Sequence, residues 1–146
     1  MTGRVLAIAR REKSRAPMEE VAAAQVTTET GVEGDFRGNP DERQVTVLTR
    51  ESWQAACAEL GKDVPWTTRR ANILIEGVRV EGKLGKTIRI GDLALRITGE
   101  TDPCNRMEEQ VTGLRQALTP DWRGGVTCRV VTSGHIVVGD SVDLEG

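Results

Sequence analysis

Short apolar runs separated by turn residues recur along this chain, and they constrain its fold more than any other feature. Two of them enclose a Gly-Asp pair, at residues 88–95 and 136–144, and each predicts a strand, a turn and a second strand. Apolar patterning predicts further strands at residues 3–9, 21–28, 44–48, 73–75 and 126–132. About eight to ten short strands at this spacing indicate a sandwich or a barrel. We expect a mainly β fold, a closed or partly closed antiparallel barrel, because closure removes exposed sheet edges.

Two helices of short to medium length are predicted between the strands. Thr49 can cap the first helix, which ends at Gly61, because threonine is a favoured N-cap and glycine a favoured helix end. Its apolar face is formed by Trp53, Ala56, Cys57 and Leu60. In the second helix Asp102 is the cap and Pro103 the first helical residue, where the missing N–H costs nothing. The apolar face of this helix is formed by Met107, Val111, Leu114 and Leu118.

Cys104 falls in the first turn of the second predicted helix. A thiol there meets the positive end of the helix dipole and unpaired backbone N–H groups, which favour the thiolate and lower the pKa of a cysteine. Arg106 would act in the same direction, whereas Glu108 and Glu109 would oppose it. These residues alone leave two interpretations open: a reactive or ligating thiolate, or a small side chain that fills a gap at a helix start.

Composition limits the class of protein to which such a thiol can belong. A chain of 146 residues, 38% of them hydrophobic, is long enough for one domain with its own core, and we expect residues 1–146 to form it. The 20 basic and 22 acidic residues nearly balance, so no general attraction to nucleic acid is expected. No apolar run approaches the length of a membrane span, and the N-terminus lacks the apolar region of a secretory signal. We therefore expect a cytoplasmic protein that does not bind membranes.

The remaining cysteines and the single histidine are predicted to be structural. Three cysteines without a C-x-x-C spacing argue against a disulfide framework and a four-cysteine metal site. Cys57 falls on the apolar face of the first helix, and Cys128 alternates with valines in a strand. His135 follows a Ser-Gly pair and is expected to be a solvated turn residue, so that a conventional zinc site is not indicated.

Two further segments carry polar residues in positions of interest. Residues 31–41 form a long loop with three glycines, and loops of this length in compact domains are usually functional or mobile. Residues 67–72 place two arginines and Asn72 immediately before an apolar strand. Such a group at the mouth of a strand suits an anion site, but paired arginines are equally an ordinary surface feature. The residues alone do not decide between these two interpretations.

An ordered set of short motifs resembles the MOSC domain, named for the C-terminal domain of molybdenum cofactor sulfurases. Each motif is weak by itself, but their joint order, with a cysteine at a helix start, is more specific and extends over nearly the whole chain. The matching pieces are Gly31-Val32-Glu33-Gly34-Asp35, Arg43-Gln44-Val45, Arg70-Ala71-Asn72-Ile73, Glu76-Gly77, Ile90-Gly91-Asp92, Pro103-Cys104, Gly124-Gly125, Gly134 and Gly139-Asp140.

The resemblance implies a mostly β, barrel-like fold and an association with molybdenum cofactor (Mo-molybdopterin). In some relatives the cysteine matched by Cys104 ligates molybdenum and N-hydroxylated compounds are reduced; other relatives are proposed to carry sulfur as a cysteine persulfide. A soft thiolate suits both roles. The cofactor also has a phosphate and a hydrogen-bonding pterin. The candidate residues for these groups are Arg43, Arg69, Arg70, Asn72 and Arg123, of which Arg70 and Asn72 match the motif most directly.

The chain also departs from the family pattern, and alternatives stay open. Many relatives continue the Gly-Asp loop differently from Phe36-Arg37-Gly38-Asn39-Pro40, so a substrate contact from this loop is not carried over. An enzyme acting on a small-molecule substrate would need a separate electron-donor reductase, because no iron-sulfur or dinucleotide motif is present. A sulfur carrier would instead meet a sulfurtransferase and show no turnover. A fold relative without the cofactor site is the third alternative, and no segment resembles a pyridoxal phosphate domain.

Overall fold

The computed structural model describes residues 2–101 and 105–145, and for Asn105 and Arg106 it describes the backbone only. Seven strands form a closed barrel in the order β11-β7-β8-β9-β5-β6-β1, and β1 pairs back with β11. A short strand, β2, lies beside the second half of β1. A second sheet has the order β10-β3-β4. The strands are β1 Gly3–Arg10, β2 Glu19–Val21, β3 Ala23–Thr27, β4 Gly31–Val32, β5 Val45–Thr49, β6 Ile73–Glu76, β7 Thr87–Ile90, β8 Leu93–Glu100, β9 Val126–Thr132, β10 Gly134–Val137 and β11 Ser141–Glu145.

The predicted mainly β barrel is therefore confirmed. Its interior is filled by alternating β-branched and leucine side chains, such as Ile88 and Ile90 of β7 and Leu93, Leu95 and Ile97 of β8, all of which are almost fully buried. This alternation places every second residue inside, as expected for strands with one buried face. One feature departs from the antiparallel prediction, because β5 and β6 run parallel. The helix and turn that connect them supply the crossover that parallel neighbours require.

Within residues 2–101 and 105–145, three α-helices form a layer on the outer face of the barrel. They are α1 Arg50–Leu60, α2 Asn105–Gln110 and α3 Leu114–Leu118, and two 3₁₀ segments accompany them at Trp66–Arg69 and Pro120–Trp122. The prediction for α1 is confirmed at both ends: the Thr49 hydroxyl accepts a hydrogen bond from Ser52 N at 3.2 Å, and Gly61 adopts the left-handed cap. Trp53 and Ala56 of α1 are buried in the helical layer.

The second predicted helix is not continuous. The apolar spacing predicted one helix through Leu118, but α2 ends at Gln110 and α3 begins at Leu114. Gly113 has a φ of 88°, which only glycine adopts without strain, and its N–H is taken by the Glu108 carboxylate at 2.8 Å. A turn therefore replaces the helical bonds at this point. The predicted cap at Asp102 and Pro103 lies outside the described residues.

The last two strands do not form the hairpin that their Gly-Asp turn predicted. β10 pairs with β3, whereas β11 pairs with β1 and β7. The connection between them bonds elsewhere: Val138 N donates to Ala22 O and Gly139 N donates to Val5 O. Through these bonds the chain passes from the second sheet, at β10, to the barrel, at β11. Of the two predicted hairpins, the one at β7 and β8 is confirmed.

Three smaller predictions are corrected or confirmed by the same geometry. The predicted strand at residues 21–28 is divided between β2 and β3. His135 lies in β10 rather than in a turn, exposed as expected, with Nδ1 3.1 Å from Gln25 Oε1. Cys128 is fully buried inside the barrel, as predicted. Burial raises the pKa of the Cys128 thiol well above its usual range.

The long loop that follows β4 is fastened to the barrel through one buried amide. Gln44 Nε2 donates to Thr28 O at 2.9 Å and to Gly38 O at 3.1 Å, while its Oε1 accepts from Val130 N at 3.0 Å. A buried amide with these three bonds closes the loop onto β9 and leaves little of its polarity unsatisfied. Within the part of the chain that is described, no helix has the length and apolar character to cross a membrane.

Candidate functional site

Arg69 connects three segments that are distant in sequence. It ends the Trp66–Arg69 turn and is only 7% exposed. Its Nε donates to Gly124 O at 3.0 Å, and one of its terminal nitrogens donates to Thr101 O at 3.2 Å. Charge-assisted bonds of this kind are stronger than neutral ones, and arginine offers them in a fixed fork. Arg69 therefore holds the end of β8 beside the loop that precedes β9.

The two glycines before β9 permit this close approach. A Cβ added to Gly124 would lie 2.5 Å from Thr101 O, and one added to Gly125 would lie 2.4 Å from Val47 O. Gly125 also has a φ of 93°. Thr101 N donates to Gly125 O at 2.9 Å, which completes the contact between the two segments. Larger residues would push residue 101 away from β5 and β9.

Thr101 is the last described residue before the segment that contains Cys104. It is 6% exposed, and its hydroxyl oxygen is buried with no hydrogen-bond partner among the described residues. A buried hydroxyl without a partner is unfavourable by about 1–3 kcal/mol, so such groups in native structures call for an explanation. The predicted reactive residue, Cys104, lies outside the described residues together with Asp102 and Pro103.

The described part of α2 packs beside the turn that ends in Arg69 and is followed by Arg70. Met107, which follows Cys104 by one helical turn in sequence, is 2% exposed and belongs to the same buried cluster as Ala71. Helix α2 contacts the Trp66–Arg69 turn. Arg70, which follows that turn, is partly buried and has a φ of 66°. The structure thus brings Arg69 and Arg70 to the side of the barrel where α2 packs.

Asn72 is placed at the junction of three strands. Its Oδ1 accepts from Thr46 N at 3.1 Å, and its Nδ2 donates to Ala9 O at 3.2 Å. Its backbone oxygen accepts from Ala9 N at 2.7 Å. The side-chain amide therefore links β1, β5 and β6, and this accounts for its burial. A contact between Asn72 and a cofactor stays a prediction.

Arg43 and Arg123 occupy different surroundings. Arg43 is exposed just before β5, and its neighbour Glu42 bonds to Thr98 and lies 3.6 Å from Arg129. Arg123 is mostly buried, and one terminal nitrogen donates to both Glu59 and Ala117 O at 3.0 Å. Arg123 therefore ties the end of α1 to α3. Neither arginine bonds to Thr101 or Gly124 as Arg69 does in the described hydrogen bonds.

A cavity of about 560 Å³ opens at the end of the barrel where β5 and β6 finish. Because β5 and β8 are both antiparallel to β9, β8 ends on this side as well. The cavity is lined by Glu51 and Ser52 from α1, by residues 77–81, and by Asp121 and Arg123. Of the arginines selected from the sequence, Arg123 alone is in this lining as described. The volume of this cavity is in the range of small-molecule sites.

Sequence reasoning missed Thr101 and also Arg11, which follows β1 and is 6% exposed. Arg11 belongs to a polar stretch of the sequence, and a charged residue in such a stretch carries no signal of burial. Burial arises because Phe36 packs against its guanidinium, with 4.6 Å between the guanidinium carbon and the ring centroid. The one available signal was the length of the loop that contains Phe36.

The fold and these contacts define a class: a closed β-barrel with a helical layer, in which a cysteine segment follows a strand held by a buried arginine. Residues 33–143 match the family model described as MOSC domain, and the chain belongs to this family. At the level of the family, membership supports a domain that binds molybdenum cofactor. Among curated protein sequences, none matches this chain at a significant level.

Solved structures share the fold at low sequence identity. The YuaD protein from Bacillus subtilis has a TM-score of 0.85 at 18% identity, and the match covers 100% of this chain and 97% of YuaD. YiiM from Geobacillus stearothermophilus has a TM-score of 0.79 at 15% identity, with 99% and 75% covered. YiiM from Escherichia coli has a TM-score of 0.71 at 17% identity, with 98% and 70% covered. At these identities the likeness establishes the fold alone.

The described residues fit a cofactor with a phosphate and a hydrogen-bonding ring. The buried hydroxyl of Thr101 is a donor and an acceptor beside the cysteine segment. Arg70 supplies a guanidinium on the same side of the barrel, and guanidinium groups match the geometry of phosphate oxygens. The donor set is thus compatible with the group that the family implies.

Proposed function

We propose that this domain binds molybdenum cofactor and that the Cys104 thiolate ligates the metal. The observation that carries the proposal is the pair of bonds from Arg69 to Thr101 O and Gly124 O. They fix the point from which the cysteine segment departs, next to the turn that carries Arg70. A ligand group must be held within a fraction of an ångström, and a buried arginine on two carbonyls gives such support.

Each residue around this point has a separate task in the proposal. Cys104 provides a soft sulfur ligand, which suits a metal already bound through dithiolene sulfur. Thr101 offers its buried hydroxyl to a polar group of the bound ligand. Arg70 pairs with the phosphate, and Arg69 acts through the backbone as a positioning residue. When bound, the cofactor would supply two-electron redox chemistry.

The reaction we propose is reduction of an N-hydroxylated compound. The N–O bond breaks, two electrons and two protons are consumed, and the products are the N–H compound and water. The cavity at the end of β5 and β6 is large enough for a small substrate, and it lies at the end of the barrel where β8 finishes. The electrons come from a separate reductase, as the sequence predicts.

Molybdenum and pterin content test the proposal directly. We would express wild type, Cys104→Ser and Cys57→Ser in a host that makes the cofactor, and measure both contents after purification. We expect near-stoichiometric metal in wild type and Cys57→Ser, and a loss of metal in Cys104→Ser. Cys57 is the matched control because it is partly exposed on α1 and its Sγ lies 3.9 Å from Val64 O. Absence of metal and pterin from wild type, or equal metal in Cys104→Ser, would contradict the proposal.

The second candidate function is sulfur carriage on a Cys104 persulfide. It is favoured by the state of the other thiols: Cys128 is buried with a raised pKa, which keeps it protonated and unreactive, and Cys57 is partly buried. Incubation with a sulfurtransferase and a sulfur donor should then add one sulfur atom to Cys104, detected by peptide mass spectrometry. Sulfur on Cys57 instead, or on none of the three, would exclude this function.

A further inference from the structure

Arg96 and Arg129 are neighbours on the outer surface of the barrel. Arg96 on β8 is paired in register with Arg129 on β9, and both residues are exposed. The residues that follow them, Ile97 and Val130, are buried in the barrel core. Directly opposite residues of antiparallel strands have Cα atoms about 4.5–5.5 Å apart and side chains on the same face. Two arginine side chains therefore leave the sheet next to each other.

This arrangement opposes the stability of the sheet, because like charges directly opposite each other on two strands are destabilising. Elsewhere on the described surface arginines have carboxylate partners, as Arg4 and Arg50 both pair with Glu76. The side chain of Arg96 forms no hydrogen bond or ion pair within residues 2–101 and 105–145. The chain has 22 acidic and 20 basic residues, so carboxylates are not scarce. A repulsive pair that keeps one arginine without a counter-charge is suited to an external anion.

Glu42 shows which group this pair accepts. Its carboxylate lies 3.6 Å from Arg129, and the two side chains are 70% and 51% exposed. Ion pairs as exposed as this contribute little to stability. The backbone oxygen of Glu42 accepts a hydrogen bond from Thr98, so the Glu42 side chain can turn away while its main chain stays in place. An incoming carboxylate can therefore replace Glu42 at Arg129.

The same face of β9 also offers an apolar contact. Val131 follows Arg129 by two residues, points to the same side of the sheet and is 47% exposed. The helical layer packs on other strands, where it buries Leu48 of β5 and Leu74 of β6. Arginine beside exposed apolar surface is typical of protein–protein interfaces. The outer face of β8 and β9 thus combines charge and apolar area without a cover from the helices at these residues.

We propose that Arg96 and Arg129 bind carboxylate side chains in an acidic segment of a partner protein, with Val131 as the adjoining apolar contact. Guanidinium groups match carboxylates in a forked geometry. A nucleic acid fits less well, because Glu42 stands beside Arg129 and Glu145 of β11 lies in the same row across Thr87, so a continuous phosphate backbone would be repelled on both sides. The proposal does not depend on molybdenum cofactor or on Cys104.

Binding of a labelled peptide of six glutamates, followed by fluorescence anisotropy at low ionic strength, tests this surface. We expect saturable binding to wild type that weakens as salt is added. Arg96→Gln should bind about threefold to fivefold more weakly, the loss of one exposed charge pair, and Arg96→Gln combined with Arg129→Gln at least about tenfold more weakly. Glu42→Gln should bind about twofold more tightly, because it removes the internal competitor.

Arg50→Gln is the matched control, since it removes the same charge from a half-exposed arginine on the helical side of the barrel. Its affinity should differ from that of wild type by less than about twofold. Arg96→Lys should bind with intermediate affinity, because it keeps the charge and loses the fork. Arg96→Gln should melt no lower than wild type, since the substitution removes a repulsion rather than a support.

Four results would overturn the proposal. They are no saturable binding to wild type, equal weakening in Arg50→Gln and Arg96→Gln, weaker binding in Glu42→Gln, and tighter binding of a six-residue thymidine oligonucleotide than of the glutamate peptide. The first removes the site and the second reduces it to the general charge of the protein. The third contradicts competition by Glu42, and the fourth assigns the surface to nucleic acid.

Discussion

The interior of the barrel and the helical layer on its outer face are two cores built on different principles. The interior is made of β-branched and leucine side chains from strands whose pairing closes on itself. The outer layer combines Trp53, Met107 and Leu114 with short helices, tight glycines and a buried arginine. In the barrel interior, the same alternation of inward-facing apolar residues recurs along the strands. The second depends on single contacts, and of the candidate site residues that the structure describes, all except Arg43 lie in or beside it or at its junction with the strands.

The comparison teaches where function can be placed in such a fold. The interior of a closed barrel tolerates few substitutions, because its side chains are packed continuously and each strand is paired on both sides. The outer layer is held by fewer elements, so it is the part of the described structure where single substitutions are expected to be tolerated best. We therefore expect the two cores to respond differently to equal substitutions.

The largest expected difference comes from two leucines that are both 0% exposed, Leu95 in the barrel and Leu114 in the outer layer. Leu95→Ala should lower the free energy of unfolding by about 4 kcal/mol, and Leu114→Ala by about 2–3 kcal/mol, because α3 can settle into the cavity. Hydrogen exchange should quicken only in α2 and α3 of Leu114→Ala. Equal losses, with faster exchange throughout the barrel in both variants, would show that the two cores are one cooperative unit.

The next effect concerns the buried arginine. Arg69→Met removes the two bonds to Thr101 O and Gly124 O and should destabilise the domain by about 2–3 kcal/mol, because two buried carbonyls lose charged donors. Arg79→Met is the control, since the Arg79 side chain is 86% exposed and pairs with Glu81, and it should change stability by less than about 0.5 kcal/mol. Urea unfolding measures both. An equally small change for Arg69 would remove it as the support of the site.

How far the sequence predicts this architecture depends on whether the controlling contact is local. The helix α1 could be predicted because Thr49 and Gly61 are local signals at its two ends, and the β7–β8 hairpin because Gly91 and Asp92 form its turn. The parallel pairing of β5 and β6 could not be predicted, because it joins two strands that α1 and a turn separate in sequence. The passage of the chain from the second sheet to the barrel after Val137 could not be predicted either, because it depends on hydrogen bonds to Ala22 and Val5.

The candidate site divides in the same way. Cys104, Arg70 and Asn72 were selected from local motifs, whereas the buried state of Arg11 and Thr101 follows from contacts with Phe36 and Gly125 that no local pattern encodes. Arg69 was selected as an anion ligand, and its observed bonds go to carbonyl oxygens. A motif can therefore name a residue without revealing which partner its side chain will have.

The smallest expected effect is on the pH dependence of stability, which reports on the barrel interior through Cys128. The Cys128 thiol has a raised pKa inside the barrel, so it stays protonated in the folded state, while in the unfolded chain it ionises near its ordinary value of 9.0. The stability it contributes is full below that pH and is lost as the pH rises above it, by about 1.4 kcal/mol per unit. Wild type should thus lose stability relative to Cys128→Val between pH 9 and 10 in urea unfolding, by about 1 kcal/mol. Parallel pH profiles would contradict the burial of a neutral thiol.

Site-resolved alkylation of the three cysteines tests the central claim most directly. Native protein, cofactor-loaded and stripped, is treated with iodoacetamide near neutral pH, and the rate at each cysteine is read by peptide mass spectrometry. The account predicts that Cys104 reacts fastest in stripped protein and is protected when the cofactor is present, while Cys128 does not react until the barrel unfolds. A Cys104 rate that is unaffected by the cofactor, or slower than that of Cys57, would contradict a thiolate that ligates molybdenum.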